Sequence, residues 1–150
     1  MKREMNRIES ITYYATKFRK AMEKAHYNNE FARIVTLASF PRGSCGISSE
    51  LLHHYLSEKG IKTKIVCKTY YDENDPSETT SHAWLEYEDI IIDITGDQFK
   101  YYPLYNCFDK PVYIGKLDSF HKIFSVEGPK VDFNEDYYDK SIYKIVERYL

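Results

Sequence analysis

Ser81-His82-Ala83-Trp84-Leu85-Glu86-Tyr87-Glu88-Asp89-Ile90-Ile91-Ile92-Asp93-Ile94-Thr95 is the stretch that decides the fold. Two apolar runs flank Glu88-Asp89, which reads as a turn, and this predicts antiparallel strands over Thr80–Tyr87 and Ile90–Thr95. Pairing about that turn sets Tyr87 opposite Ile90, Leu85 opposite Ile92 and Ala83 opposite Ile94. All three pairs are apolar and share one face. The other face carries Glu86 with Ile91, Trp84 with Asp93, and His82 with Thr95. A slip of one residue would set the isoleucines against polar partners, so the register is well specified. His82 and Asp93 then become diagonal neighbours, roughly 7–8 Å apart at the backbone. A four-residue turn would keep the same pairing.

Upstream lies Phe40-Pro41-Arg42-Gly43-Ser44-Cys45-Gly46, followed by a helical run from Ile47 to Lys59. Leu52, Tyr55, Leu56 and Lys59 share a face of that helix, and Gly60 supplies its stop. Pro41 and Gly43 do not fit inside it, so its start falls close to Cys45. A thiol at a helix start meets the positive end of the helix dipole and unpaired N–H groups. An imidazole from His82 can hold the thiol proton, and Asp93 can fix the ring tautomer. The order Cys45, His82, Asp93 therefore reads as an activated cysteine nucleophile. The Cys45 amide is a natural oxyanion donor, and Gly43 and Gly46 permit close approach of backbone to substrate. Asp97 is a rival third member, placed beyond the strand end. Trp84 shares the face of His82 and suits either a cleft wall or the core. Cys67, mid-strand, and Cys107 read as structural. His53 and His54 read as surface or boundary residues, and His26 and His121 carry no pattern.

The 150 residues suffice for one domain with a core, read here as a single domain over 1–150 with its centre at about 40–99. The formal net charge is −2 with no basic face, which argues against nucleic-acid binding. Lys2, Arg3, Arg7, Lys17, Arg19, Lys20 and Lys24 interleave with Glu4, Glu9 and Glu23, as on a solvated helix face. No apolar stretch approaches the ~20 residues that span a membrane, and the N-terminal residues lack an apolar signal core. On that ground a cytoplasmic location is expected, and since three cysteines cannot all pair within the chain, free thiols are expected in that reducing compartment. No Cys-x-x-Cys pair is present and ligand spacing is not clustered, so neither metal nor cofactor is expected; a Cys45/His82/Asp93 metal set ranks last among the readings. The 15 tyrosines read as packing at half-buried surfaces.

Elsewhere, Ile8, Ile11, Ala15, Phe18 and Met22 predict a helix from about Arg3 to His26. Phe31–Leu37 is read as a short helical segment, Lys62–Tyr71 as a strand, and 72–78 as an acidic loop. Lys110–Ile114 reads as a fourth strand and Tyr137–Leu150 as a closing helix.

Gly43-Ser44-Cys45-Gly46 before a helix, then Ser81-His82-Ala83-Trp84, then Ile92-Asp93-Ile94-Thr95 resembles the transglutaminase-like cysteine enzymes, a branch of the papain-like fold. The resemblance covers about Phe40 to Phe99, and leader peptidases of lasso-peptide pathways carry a similar arrangement. It implies an α+β fold: a papain-like, transglutaminase-like core whose antiparallel sheet carries the Cys helix, with further helices at the N- and C-terminal ends. It implies Cys45 as nucleophile, His82 as general base and Asp93 as orienter. The extension Thr95-Gly96-Asp97-Gln98-Phe99 is similar to that of a group of small bacterial proteins, and Gln98 is a candidate side-chain donor to the oxyanion. The arylamine N-acetyltransferases share the triad order, but their cysteine motif is not matched.

The expected function is a cysteine hydrolase, peptidase or amidase, acting through a thioester on a peptide, protein or small amide. A transglutaminase, acyl-transferase or deamidase with the same triad is the first alternative. A non-catalytic binding module on the same fold is the second. The acidic loop, if it borders the cleft, would favour cationic partners.

Overall fold

Alternation of apolar residues on neighbouring strands builds an antiparallel sheet buried on both faces. The computed structural model describes residues 6–75, 77, 79–127 and 138–150. The chain is α+β, with helices α1 (Arg7–Tyr27), α2 (Cys45–Glu58) and α3 (Lys140–Glu147). The strands are β1 (Lys64–Tyr71), β2 (Thr79–Tyr87), β3 (Ile90–Asp93), β4 (Tyr113–Gly115) and β5 (Val126–Glu127). They form one five-stranded sheet in the order β4-β3-β2-β1-β5, with every neighbouring pair antiparallel. Among the described residues no helix is long and apolar enough to cross a membrane.

The isoleucine register is observed as expected: Leu85 faces Ile92, Glu86 faces Ile91 and Tyr87 faces Ile90. Leu85 and Ile92 join Ile65 and Ile94 under α1, α2 and α3, with Phe18, Leu52, Leu56 and Val146 in the same core. Each such side chain, fully buried, contributes about 1.5–3 kcal/mol. The opposite face is not solvated. Val66, Trp84 and Ile91 meet an aromatic layer of Phe99, Tyr105, Phe108, Phe120 and Phe124. Those rings come from the irregular chain that precedes and follows β4, where no periodicity announced them.

Several boundaries move. The expected starts of α1 at Arg3 and of α3 at Tyr137 lie outside the described residues. Strand β3 ends at Asp93 rather than Thr95, because Asp93 Oδ1 accepts the Thr95 amide at 2.9 Å and the chain turns into a 3-10 helix, Gly96–Phe99. Three expected pairings, Trp84 with Asp93, Ala83 with Ile94 and His82 with Thr95, are therefore absent from the β2–β3 ladder; on its other side Asp93 faces Tyr113 of β4. The fourth strand begins three residues later than expected. The stretch Phe31–Leu37 is a series of turns and not a helix. Its bonds run from the Ile34 amide to Phe31 O and from the Leu37 amide to Ile34 O, while the β-branched Ile34-Val35-Thr36 disfavours continuation.

Helix α2 stops as expected. Gly60 takes φ +76°, its amide reaches Ser57 O, and the Ile61 amide reaches Leu56 O, the paired bonds of a Schellman cap.

Arg19 departs most from the sequence reading. It is 6% exposed rather than solvated. Its guanidinium grips Asp97 with two bonds of 2.8 Å, donates to Ile94 O at 2.7 Å and meets Glu23 at 2.8 Å. Asp97 is thus committed to α1 and is not free to serve as the third member of a triad. The bidentate pair ties α1 to the chain leaving β3, just after Asp93 in sequence.

Arg19→Ala is expected to lower unfolding stability by about 3–5 kcal/mol, because Asp97 is left buried without its partner. Urea unfolding of Arg19→Ala, Asp97→Ala and the double variant checks this. The double variant should lose clearly less than the sum of the two.

Candidate active site

Cys45 is the first residue of α2 and is half-buried. Ser44 precedes the helix but does not cap it, since its Oγ donates to Pro41 O at 2.7 Å. The first-turn amides of α2, including those of Cys45 and Gly46, are thereby left without a side-chain cap. Gly43 adopts φ +72°, a left-handed turn that glycine makes at no steric cost, and its amide points to Gln98 Oε1 at 3.4 Å.

His82 is fully buried on β2. Its Nε2–H donates to Asp93 Oδ2 at 2.7 Å. Its Nδ1 lies 3.4 Å from Gln98 Nε2, and Cys45 is near enough to the ring for each group to shift the other's proton affinity. The three residues expected from sequence are therefore brought together, in the order thiol, imidazole, carboxylate.

Asp93 does more than expected. Oδ2 accepts a second imidazole, the Nε2–H of His121, also at 2.7 Å. His121 carries no pattern in the sequence. It lies 28 residues beyond Asp93, in a short 3-10 turn, and only the closing of the aromatic layer carries it back. The Asp-x-x-His spacing of Asp118 and His121, an acceptor just before a turn, was the one local signal. The fit around Asp93 is close. A methyl group at Gly96 would stand 2.6 Å from a Phe108 ring carbon and 3.0 Å from Asp93 Oδ2, so only glycine fits there.

Electrostatics follow from these contacts. Burial drives the Cys45 thiol up, but its hydrogen bond to His82, the imidazole charge and the Ala83 backbone outweigh it and leave the thiol below its ordinary value of 9.0. Burial drives His82 down, yet the charge and hydrogen bond of Asp93, with a smaller contribution from Cys45, push it up to about 9. Burial raises Asp93, but the two imidazoles hold it well below the usual carboxylate range. The arrangement favours a thiolate beside an imidazolium.

The other candidates fall as follows. Gln98 lies beside His82, its Nε2 also donating to Thr95 O at 3.0 Å. Trp84 is 2% exposed and packs behind the imidazoles, 5.0 Å from the His121 ring and 5.6 Å from the His82 ring. It is a core residue rather than a cleft wall. Its Nε1 is buried without a hydrogen-bond partner among the described residues. Cys67 is half-buried on β1, where burial raises its thiol, while Cys107 is exposed rather than packed. His53 is buried, its Nδ1 paired with Thr63 Oγ1 at 2.7 Å, which corrects its reading as a surface or boundary residue. His54 is half-buried and stacks on Tyr138.

Two cavities meet at Gln98. One, of about 320 Å³, is lined by Arg42, Lys100, Tyr101 and Tyr102 among others. The second, of about 310 Å³, is lined by Arg42, Thr80, Phe99, Tyr102, Leu104 and Tyr105. None of the described acidic-loop residues lines either.

His82, Asp93 and His121 also offer ligand atoms within 4.8 Å of one another, a set that excludes Cys45. Around a tetrahedral zinc with bonds of about 2.0–2.1 Å, ligand atoms stand about 3.3 Å apart. Here each imidazole nitrogen is 2.7 Å from the carboxylate oxygen, the distance of a charge-assisted hydrogen bond. The donor spacing suits shared protons better than a metal ion. Comparisons with protein-family models, curated proteins and solved structures found no match for this chain.

The charge pattern has a signature in stability. His82, raised from 6.5 to about 9, contributes stability that is complete below pH 6.5 and lost as pH rises through about 9. Cys45, lowered from 9.0, contributes with the opposite sign, gained as pH rises through its folded value and complete above 9.0. In the intact protein the Cys45 contribution offsets part of the His82 loss below pH 9.0. Cys45→Ala is expected to remove the offset, so its urea midpoint falls more steeply between pH 6.5 and about 9 than that of the unaltered protein. Urea titrations at several pH values check this.

Proposed function

We propose that this chain is a cysteine hydrolase that cleaves an amide bond through a thioester on Cys45. The observation that carries the reading is the line from Cys45 to His82 to Asp93, with the thiol lowered and the imidazole raised. Buried titratable groups pushed in complementary directions are what acid–base and nucleophilic chemistry requires. A cysteine on a helix start, with His and Asp on adjacent antiparallel strands, also supports a fold of the papain-like, transglutaminase-like kind.

In the proposed cycle the Cys45 thiolate attacks the carbonyl carbon, and the carbonyl oxygen becomes an oxyanion. The Cys45 amide at the start of α2 is the first donor to it. The Gln98 amide is the second, held in place by Thr95 O and by the Gly43 amide. While His82 is an imidazolium, its Nδ1–H and the Gln98 N–H are both donors, so they converge on one region instead of bonding to each other. The intermediate then collapses. His82 gives its Nδ1 proton to the departing amine, the C–N bond breaks and the thioester remains. The neutral imidazole next takes a proton from water, the hydroxide attacks the thioester carbon, and collapse of the second oxyanion frees the acid and restores the thiolate. Asp93 stays ionised throughout.

A substrate running past Gln98 would set an apolar or aromatic group among Phe99, Leu104 and Tyr105 and a carboxylate near Arg42. Transamidation and deamidation share the first half-reaction. Hydrolysis is preferred because water alone completes it and no amine site is marked. A low-pKa thiol that must stay reduced suits the cytoplasm, the location we propose.

Iodoacetamide labelling across pH, with the Cys45 peptide followed by mass spectrometry, tests the reading. Cys45 is expected to label with a midpoint below 9, and His82→Ala to return that midpoint toward the ordinary thiol value. An unaltered protein whose Cys45 labels only near pH 9 would refute a cysteine hydrolase. Against an amide library, Cys45→Ala and His82→Ala are each expected to cut turnover by more than about a hundredfold.

A further inference from the structure

A buried histidine that only fills space leaves a nitrogen to solvent or to one neutral partner. His121 does neither. It is 1% exposed, and both ring nitrogens face carboxylate oxygens: Nε2 meets Asp93 Oδ2 at 2.7 Å and Nδ1 meets Asp118 Oδ1 at 2.6 Å. The same Asp118 oxygen accepts the His121 backbone amide at 2.8 Å, so the turn that presents the ring is clamped twice by one residue. Trp84 stands edge-on at 5.0 Å, Phe108 edge-on at 5.6 Å and Tyr113 stacks at 5.1 Å, which leaves the imidazole one position. Apolar residues can often replace a buried ionic network at little cost in stability, so packing alone does not call for an Asp-His-Asp line in an aromatic layer.

We propose that His121, held by Asp118, is a positioning residue that fixes the Asp93 carboxylate so that one oxygen faces His82 squarely. This rests on the cysteine-hydrolase reading of the same site. A carboxylate can turn about its Cβ–Cγ bond, and a turn would weaken the bond to His82. Asp93 is held against this at three points. Oδ1 takes the Thr95 amide, and Oδ2 takes His82 on one side and His121 on the other. Without His121, one backbone amide remains to orient a group on which the imidazolium depends. The charged and titratable groups facing His121 are Asp93, Asp118, Tyr113 and His82. Cys45 is reached only through the last of these, so His121 acts at second hand.

The experiment is the pH dependence of Cys45 labelling by iodoacetamide, with folding followed by near-ultraviolet circular dichroism. In folded His121→Phe the labelling midpoint is expected to rise by about one pH unit, a roughly tenfold smaller thiolate fraction below the midpoint. His121→Gln can still donate an amide N–H to Asp93 and is expected to restore most of the shift. Asp118→Ala should give an intermediate rise, and Asp118→Asn, which keeps the accepting oxygen, little change. A merely structural role would lower stability and leave the midpoint in place. An unmoved midpoint in folded His121→Phe overturns the proposal. If that variant does not fold, the partly exposed Asp118 carries the test, and an unmoved midpoint in folded Asp118→Ala overturns it instead. A wild-type midpoint near 9 would defeat the hydrolase reading itself. A low wild-type midpoint that ignores His121 would defeat this inference alone.

Discussion

A carboxylate that is 1% exposed stays ionised only where donors surround it, and Asp93 collects three. The rest of the site depends on that concentration of charge. Asp93 lifts His82, and the lifted His82 lowers the Cys45 thiol. The end of β3 has the same cause, because the Oδ1 bond to the Thr95 amide stops the strand and starts the turn that carries Gly96, Asp97 and Gln98. One side chain thus fixes both the electrostatics of the imidazole and the path of the chain that delivers Gln98 beside it.

Two packing layers hold this anion in place. On the helical side, Leu85 and Ile92 lock the β2–β3 register, so the backbones bearing His82 and Asp93 cannot slip. On the other side, aromatic rings close over the imidazoles and keep water from competing for Asp93. The Arg19–Asp97 pair, itself buried, pins the turn after β3 against α1. A low local dielectric strengthens every hydrogen bond of the Asp93 centre and would make any loss there expensive.

Legibility in the sequence follows the range of the interaction. The β2–β3 register was readable because strand alternation has a period of two and the turn between the strands is short. The start of α2 was readable because Pro41 and Gly43 are local stops. The nearness of His82 to Asp93 followed from that register together with the order of Cys45, His82 and Asp93 along the chain. Arg19 was misread, since a cation on an amphipathic helix looks the same whether it meets water or a distant Asp97. His121 was invisible for a related reason. Its partner on β3 lies 28 residues away, and the turn that holds it has no periodicity. The aromatic layer escaped in the same manner, because Phe99, Phe108, Phe120 and Phe124 sit in irregular chain. Phe31–Leu37 was misjudged for a subtler cause: its i to i+3 bonds imitate a helix that β-branched residues then prevent.

The claim at the centre is that His82 rests as an imidazolium between a thiolate and a carboxylate. Nitrogen-15 NMR of the histidine rings at neutral pH, with His82 assigned by comparison with His82→Gln, addresses it without knowledge of any substrate. The account predicts both His82 nitrogens protonated at pH 7 and the Nε2 proton shifted far downfield by its bond to Asp93. A His82 ring found neutral at pH 7, in a single tautomer, would contradict it.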